Sequence, residues 1–116
     1  MNSSGGMKPA DVRGAAVFAS AIAASCPDAA TTVIIPAVDC STGRNVVLMV
    51  RSDVAAVLVW RDWTPRRLFS ADSTTALSAG VTTRIVLTDP APDASVLITN
   101  ASGGTATVTV GVVVRP

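Results

Sequence analysis

The stretch Thr105–Arg115 constrains this chain more than any other feature. Ala106, Val108, Val110, Val112 and Val114 fall on one side of a period-two alternation, and Thr105, Thr107, Thr109 and Gly111 fall on the other. A repeat of two residues matches the pleat of a β-strand and not the 3.6-residue turn of a helix. One apolar and one polar face mark a half-buried antiparallel strand whose Thr surface is wet or faces a partner.

From Thr31 onward the same signal recurs in shorter form. Runs rich in Val, Ile and Thr occupy Thr31–Val38, Asn45–Ser52, Val54–Trp60, Arg66–Ser70, Val81–Thr88 and Ala94–Asn100. Turn residues separate them at the spacing of a sandwich or barrel. The separators Ser41-Thr42-Gly43, Ala79-Gly80, Asp89-Pro90-Ala91-Pro92-Asp93 and Ala101-Ser102-Gly103-Gly104 supply Gly, Pro, Asp and Ser, which tolerate or preset turn dihedrals. Pro36 lacks an N–H, so the first run is an edge strand or a broken one. The run Val54–Trp60 is apolar on both faces, whereas a strand in a two-sheet domain normally shows one polar face. It therefore needs cover from the N-terminal segment or lies in an interface.

Composition supports strands throughout. Val, Ile and Thr account for 36 of 116 residues, and Glu and Gln are absent. β-branched side chains are crowded at χ1 in a helix and fit a pleated sheet. The expected fold is an all-β antiparallel sandwich of about seven to eight strands, spanning residues 26–116. Residues 1–25 are expected to form an N-terminal arm or short helix, partly flexible. Six of the ten residues Ala15–Ala24 are Ala, which favours helix, yet alternation runs equally well through Ala16, Phe18, Ser20 and Ile22.

The same composition excludes chemistry. Without His there is no Ser-His-Asp or Cys-His pair and no imidazole zinc ligand. The eight Asp lie mostly in turns, where their side chains cap the backbone, and Asp89 with Asp93 matches no calcium loop. Asn2-Ser3-Ser4 and Asn100-Ala101-Ser102 match the glycosylation sequon but read as turn residues. No enzyme, cofactor or metal is expected. A net charge of +1 gives no electrostatic case for nucleic acid.

Apolar residues are in surplus. They make up 49% of the chain, while charged residues supply 15% against a usual figure of about 25%. A small domain has much surface for its volume, so surplus apolar surface must go to a membrane or a partner. No run reaches the roughly 18 apolar residues of a membrane helix, which leaves other subunits. Lys8 and Arg13 before Ala15–Ala24, with Ala23-Ala24-Ser25-Cys26 beyond, imitate a lipoprotein signal. Asp11 and the weakly hydrophobic, Ala-rich run argue instead for a structured or partner-bound segment. Cys26 and Cys40 are the only thiols: a disulfide would close a 15-residue loop worth about 3 kcal/mol. Two free, part-buried thiols are the alternative.

One segment concentrates recognition chemistry. Trp60, Trp63 and Phe69 are three of the four aromatic residues, and Arg61, Arg66 and Arg67 lie among them. Trp and Arg are enriched at protein-interface hot spots, and an interface is the expected role of these six residues. Exposed Trp faces could instead stack on sugar rings, giving a carbohydrate-binding or adhesin module using Trp60, Trp63 and Arg66. The plainest account has Trp60 ending a buried strand and the Arg stems covering apolar surface.

The C-terminal third carries a resemblance. Gly80-Val81-Thr82, Val96-Leu97-Ile98-Thr99-Asn100 and Ala106-Thr107-Val108-Thr109-Val110 resemble small β-sandwich structural proteins of tailed-bacteriophage virions, namely capsid decoration (cement) proteins and head and tail accessory subunits. The resemblance implies a jelly-roll-like or Ig-like domain with no catalytic residue. It also implies a symmetric homo-oligomer, often a trimer, docked on a major capsid protein. The expected location is the virion, assembled in the host cytoplasm; an adhesin would be extracellular or on the cell surface.

Overall fold

The computed structural model describes residues 17–116. The expected flexible lead at residues 1–10, and the first part of the arm through residue 16, lie outside the described residues. Eight strands follow one another along the described chain: β1 (Val17–Cys26), β2 (Ala30–Asp39), β3 (Asn45–Ser52), β4 (Ala56–Trp63), β5 (Ser70–Leu77), β6 (Thr83–Thr88), β7 (Asp93–Asn100) and β8 (Ala106–Arg115). They form two four-stranded antiparallel sheets, ordered β1-β8-β3-β6 and β2-β7-β4-β5. Strand pairs nest as β1 with β8, β2 with β7, β3 with β6 and β4 with β5. This is the jelly-roll form of the all-β antiparallel sandwich that the sequence predicts.

Alternation decides what lies between the sheets. Ala106, Val108, Val110, Val112 and Val114 of β8 are buried, while Thr107, Thr109 and Gly111 face outward. They meet Leu48, Leu58, Trp60 and Ile98, all at most 2% exposed. Each such side chain contributes about 1.5–3 kcal/mol on burial. Turn chemistry then holds the strands in place. At Gly43, between β2 and β3, a Cβ would collide with Cγ1 of buried Val114.

The N-terminal arm or short helix is corrected from Val17 onward. Residues 17–26 form β1, an edge strand registered on β8 from Val17↔Val114 to Cys26↔Ala106. Val17, Ala19 and Ala21 point inward and pack against the core, and the small size of the two alanines lets the sheets approach. A free antiparallel partner outweighs the modest helix preference of Ala. The boundary at residue 26 therefore falls inside the sandwich.

A second correction concerns Arg66–Ser70, which is not a strand. Pro65–Arg67 forms a 3-10 turn, with Arg66 and Arg67 at φ 62° and 53°. The strand is instead Ser70–Leu77, whose side chains are mostly polar and give no apolar alternation to read. Pro36 does mark an edge strand, β2, whose register shifts twice between Val33 and Val38.

The doubly apolar run resolves within its own sheet. Ala56, Leu58 and Trp60 point inward. On the outer face Val59 lies between Leu97 of β7 and Thr74 of β5, and it is 7% exposed. Cross-strand neighbours cover it.

Candidate interaction surfaces

The two tryptophans part company at β4. Trp60 points into the core at 2% exposure, so neither a partner nor a sugar reaches it. This corrects its place among the expected interface residues and in the carbohydrate reading. Its indole N–H donates to Asp62 Oδ1 at 2.9 Å, and the same oxygen accepts from the Ala91 N–H at 3.2 Å. Trp63, three residues on, lies on the opposite face because the strand period is two.

Trp63 is half-buried and held by a hydrogen bond and two arginines. Its Nε1 donates to Ser95 Oγ at 2.9 Å, and that hydroxyl donates to Pro36 O at 2.7 Å. The guanidinium of Arg67 stands 5.1 Å from the ring centroid and that of Arg61 5.8 Å away. Each arginine is clamped in turn. Arg61 makes two hydrogen bonds to Asp72 at 2.7 and 3.0 Å. Arg67 makes two to Asp93 at 2.7 and 3.1 Å and a third to Pro36 O. Donation from Arg61 holds the Asp72 carboxyl below its ordinary range and raises Arg61 itself. The left-handed backbone at Arg66 and Arg67 costs about 1 kcal/mol per residue or more. The loop is closed by Thr64, whose N–H donates to Phe69 O and whose hydroxyl accepts from the Phe69 N–H.

The expected cluster is thus three environments. Trp60 is core. Trp63, Arg61 and Arg67 form an internally satisfied stack. Arg66 and Phe69 are exposed at the loop, beside exposed Leu68. A shallow groove of about 370 Å³ runs beside Phe69, lined by Trp63, Thr64, Pro65, Ala91 and Pro92.

A second surface was not singled out by sequence. On the outer face of the β1-β8-β3-β6 sheet, the registers Phe18↔Val113, Val113↔Val47 and Val47↔Val86 place four apolar side chains in one row across all four strands. Phe18 is 74% and Val86 50% exposed. The neighbouring row is Ser20, Gly111, Met49 and Arg84. Gly111 has open space where a Cβ would stand, so the row is notched at β8. The resulting groove has a volume of about 520 Å³, and Arg84 and Arg115 line it with Phe18, Met49 and Val113. Of these four strands only β8 showed its alternation plainly, and the alignment of Phe18, Val113, Val47 and Val86 into one row needed the register.

Cys26 and Cys40 are free and buried, so the disulfide alternative does not form in this structure. The reason is geometric. The ten-residue strand β2 lies between them and holds the thiols at its two ends, about 30 Å apart at the rise of a strand, where a disulfide needs Cα atoms within about 7 Å. Burial raises both thiols; for Cys40, burial followed by the nearby charges of Asp62, Asp39 and Asp93 pushes it from 9.0 to about 11. The folded state therefore holds this proton more tightly than the unfolded chain. Its contribution is complete below pH 9.0 and is lost as pH rises toward 11. Maleimide labelling followed by intact mass should find no adduct on the native protein and two after unfolding. Early modification of either thiol would contradict this burial.

No protein-family model matches the chain, and no curated protein sequence matches it. The fold is similar to that of a chain from Bacillus endospore appendages, described as a novel family of disulfide-linked pili. The TM-score is 0.54 at 11% identity, with 100% of both chains covered. At that identity the likeness concerns the fold alone.

Proposed function

We propose that the chain is a non-enzymatic structural subunit that associates with copies of itself and with a larger shell, as a virion decoration protein does. The observation that supports this reading is the row Phe18–Val113–Val47–Val86, an apolar band across the outer face of a sheet whose inner face already serves the core. A monomer has no use for a second apolar face, whereas a subunit buries it against a neighbour. The low charge content and jelly-roll topology are consistent with such a role.

A pilus-type appendage is the second reading, favoured by the fold likeness to the endospore chain. Since Cys26 and Cys40 are buried, an appendage built from this structure would be joined without disulfides through them.

Light scattering across a concentration series is the test. The wild type should sediment and scatter as an oligomer, and Phe18→Asp, a change at an exposed position, should weaken assembly at least tenfold. A monomer at every concentration rejects the proposal. A closed oligomer that co-sediments with capsids supports decoration; open fibres under negative stain support the appendage.

A further inference from the structure

We infer that β6 is a strand-pairing edge, and that it takes the β6 of a second copy in antiparallel fashion with Val86 opposite its own counterpart. The inference rests on the self-associating role proposed above and specifies its contact.

Among the described residues each sheet has two edges, and three of the four carry a device against pairing. β1 is bulged between Ala21 and Ala24, with Ala23 at φ 51° and its N–H taken by Thr109 Oγ1 at 3.0 Å. β2 contains Pro36 and two register shifts. β5 is polar and holds Asp72 at mid-strand in its pair with Arg61. Bulges, proline and charge are the means by which edges are kept from pairing.

β6 has none of them but one charge. Thr83-Arg84-Ile85-Val86-Leu87-Thr88 pairs with β3 through six consecutive residues, Val50↔Thr83 to Asn45↔Thr88, without a shift. It contains no Pro and no Gly. Its other side offers an unbroken line of backbone donors and acceptors, the requirement for strand addition.

Register follows from the pleat. Directly opposed residues of an antiparallel pair lie on the same face, so Arg84, Val86 and Thr88 must meet one another. Centring on Val86 sets Arg84 opposite Thr88 of the other copy and Ile85 opposite Leu87. Centring on Ile85 would set Arg84 opposite Val86 and interrupt the apolar row, and centring on Arg84 would set two like charges in contact. The Val86-centred register also joins the apolar row of each copy end to end, from Phe18 through Val86 and out to the second Phe18. A two-fold contact of this kind gives even-numbered assemblies.

Cysteine cross-linking tests it in the full chain. Opposed Cβ atoms in such a pair are about 5 Å apart. Val86→Cys under mild oxidant should give a covalent dimer on a non-reducing gel, and wild type run beside it should give none because Cys26 and Cys40 are buried. Arg84→Cys mixed with Thr88→Cys should cross-link, and Arg84→Cys alone should not. The inference is overturned if Val86→Cys stays uncoupled in a protein that light scattering shows to be oligomeric. It is equally overturned if Val86→Cys couples only to a copy carrying Val33→Cys on the β2 edge. In either case self-association survives and only the β6 contact falls; a monomeric wild type removes both.

Discussion

Asn100→Asp should cost on the order of 4 kcal/mol and, in a domain of ordinary stability, remove most of the folded population. Asn100 is 0% exposed, at the end of β7 where the chain turns into β8. Its amide nitrogen donates to Cys26 O at 2.9 Å and to Gly104 O at 2.8 Å, and its oxygen accepts from the Ser102 N–H at 3.0 Å. One side chain therefore ties β1 to the β7–β8 turn. A carboxylate keeps the acceptor and loses both donors, leaving two carbonyl oxygens facing a buried negative charge. An orphaned buried polar group costs about 1–3 kcal/mol before the charge is counted. Urea unfolding at pH 7 measures the loss. In the variant the new carboxyl is protonated more readily in the folded state, so stability should recover as pH falls toward the ordinary carboxylate range. Asn100→Ser, which keeps one donor, should fall between. A loss under 1 kcal/mol for Asn100→Asp would show that the hub does not hold the turn.

Trp60→Ala should lose about 3–5 kcal/mol, the range for removing a large aromatic side chain from a filled core. The indole sits against both sheets and also occupies Asp62 Oδ1, so truncation leaves a cavity and removes a donor from a carboxylate that anchors the Ala91 N–H. Trp60→Phe separates the two effects: it refills most of the volume and should lose roughly 1–3 kcal/mol for the missing hydrogen bond and imperfect fit. Thermal melts followed through Trp63 fluorescence report both. Equal losses for the two variants would mean that the hydrogen bond, and not the ring, carries Trp60.

β3 and β8 are legible almost to the residue, β8 from its clean alternation and β3 from a Val-rich run bounded by turn residues, both of them local properties. The edge status of β2 was legible from Pro36, since a missing N–H has the same consequence wherever the sheet lies. β5 was not legible: Ser70–Leu77 has no apolar face because it closes a sheet at an exposed edge. The burial of Trp60 was legible only in the plainest account of its segment, where it ends a buried strand; that Trp63 stands on the opposite face follows from the side that β4 turns inward.

The amino-acid sequence alone determined strand content, turn positions and the lack of a site built on histidine, since pleat periodicity, turn dihedrals and side-chain chemistry act over a few residues. Tertiary structure alone decided that Ala-rich residues 17–26 are a strand, that Cys26 and Cys40 stand far apart, and that Phe18, Val113, Val47 and Val86 share one line. The physical reason is that pairing partners and register are long-range choices. A strand's outer face becomes a surface only once its neighbours are in place.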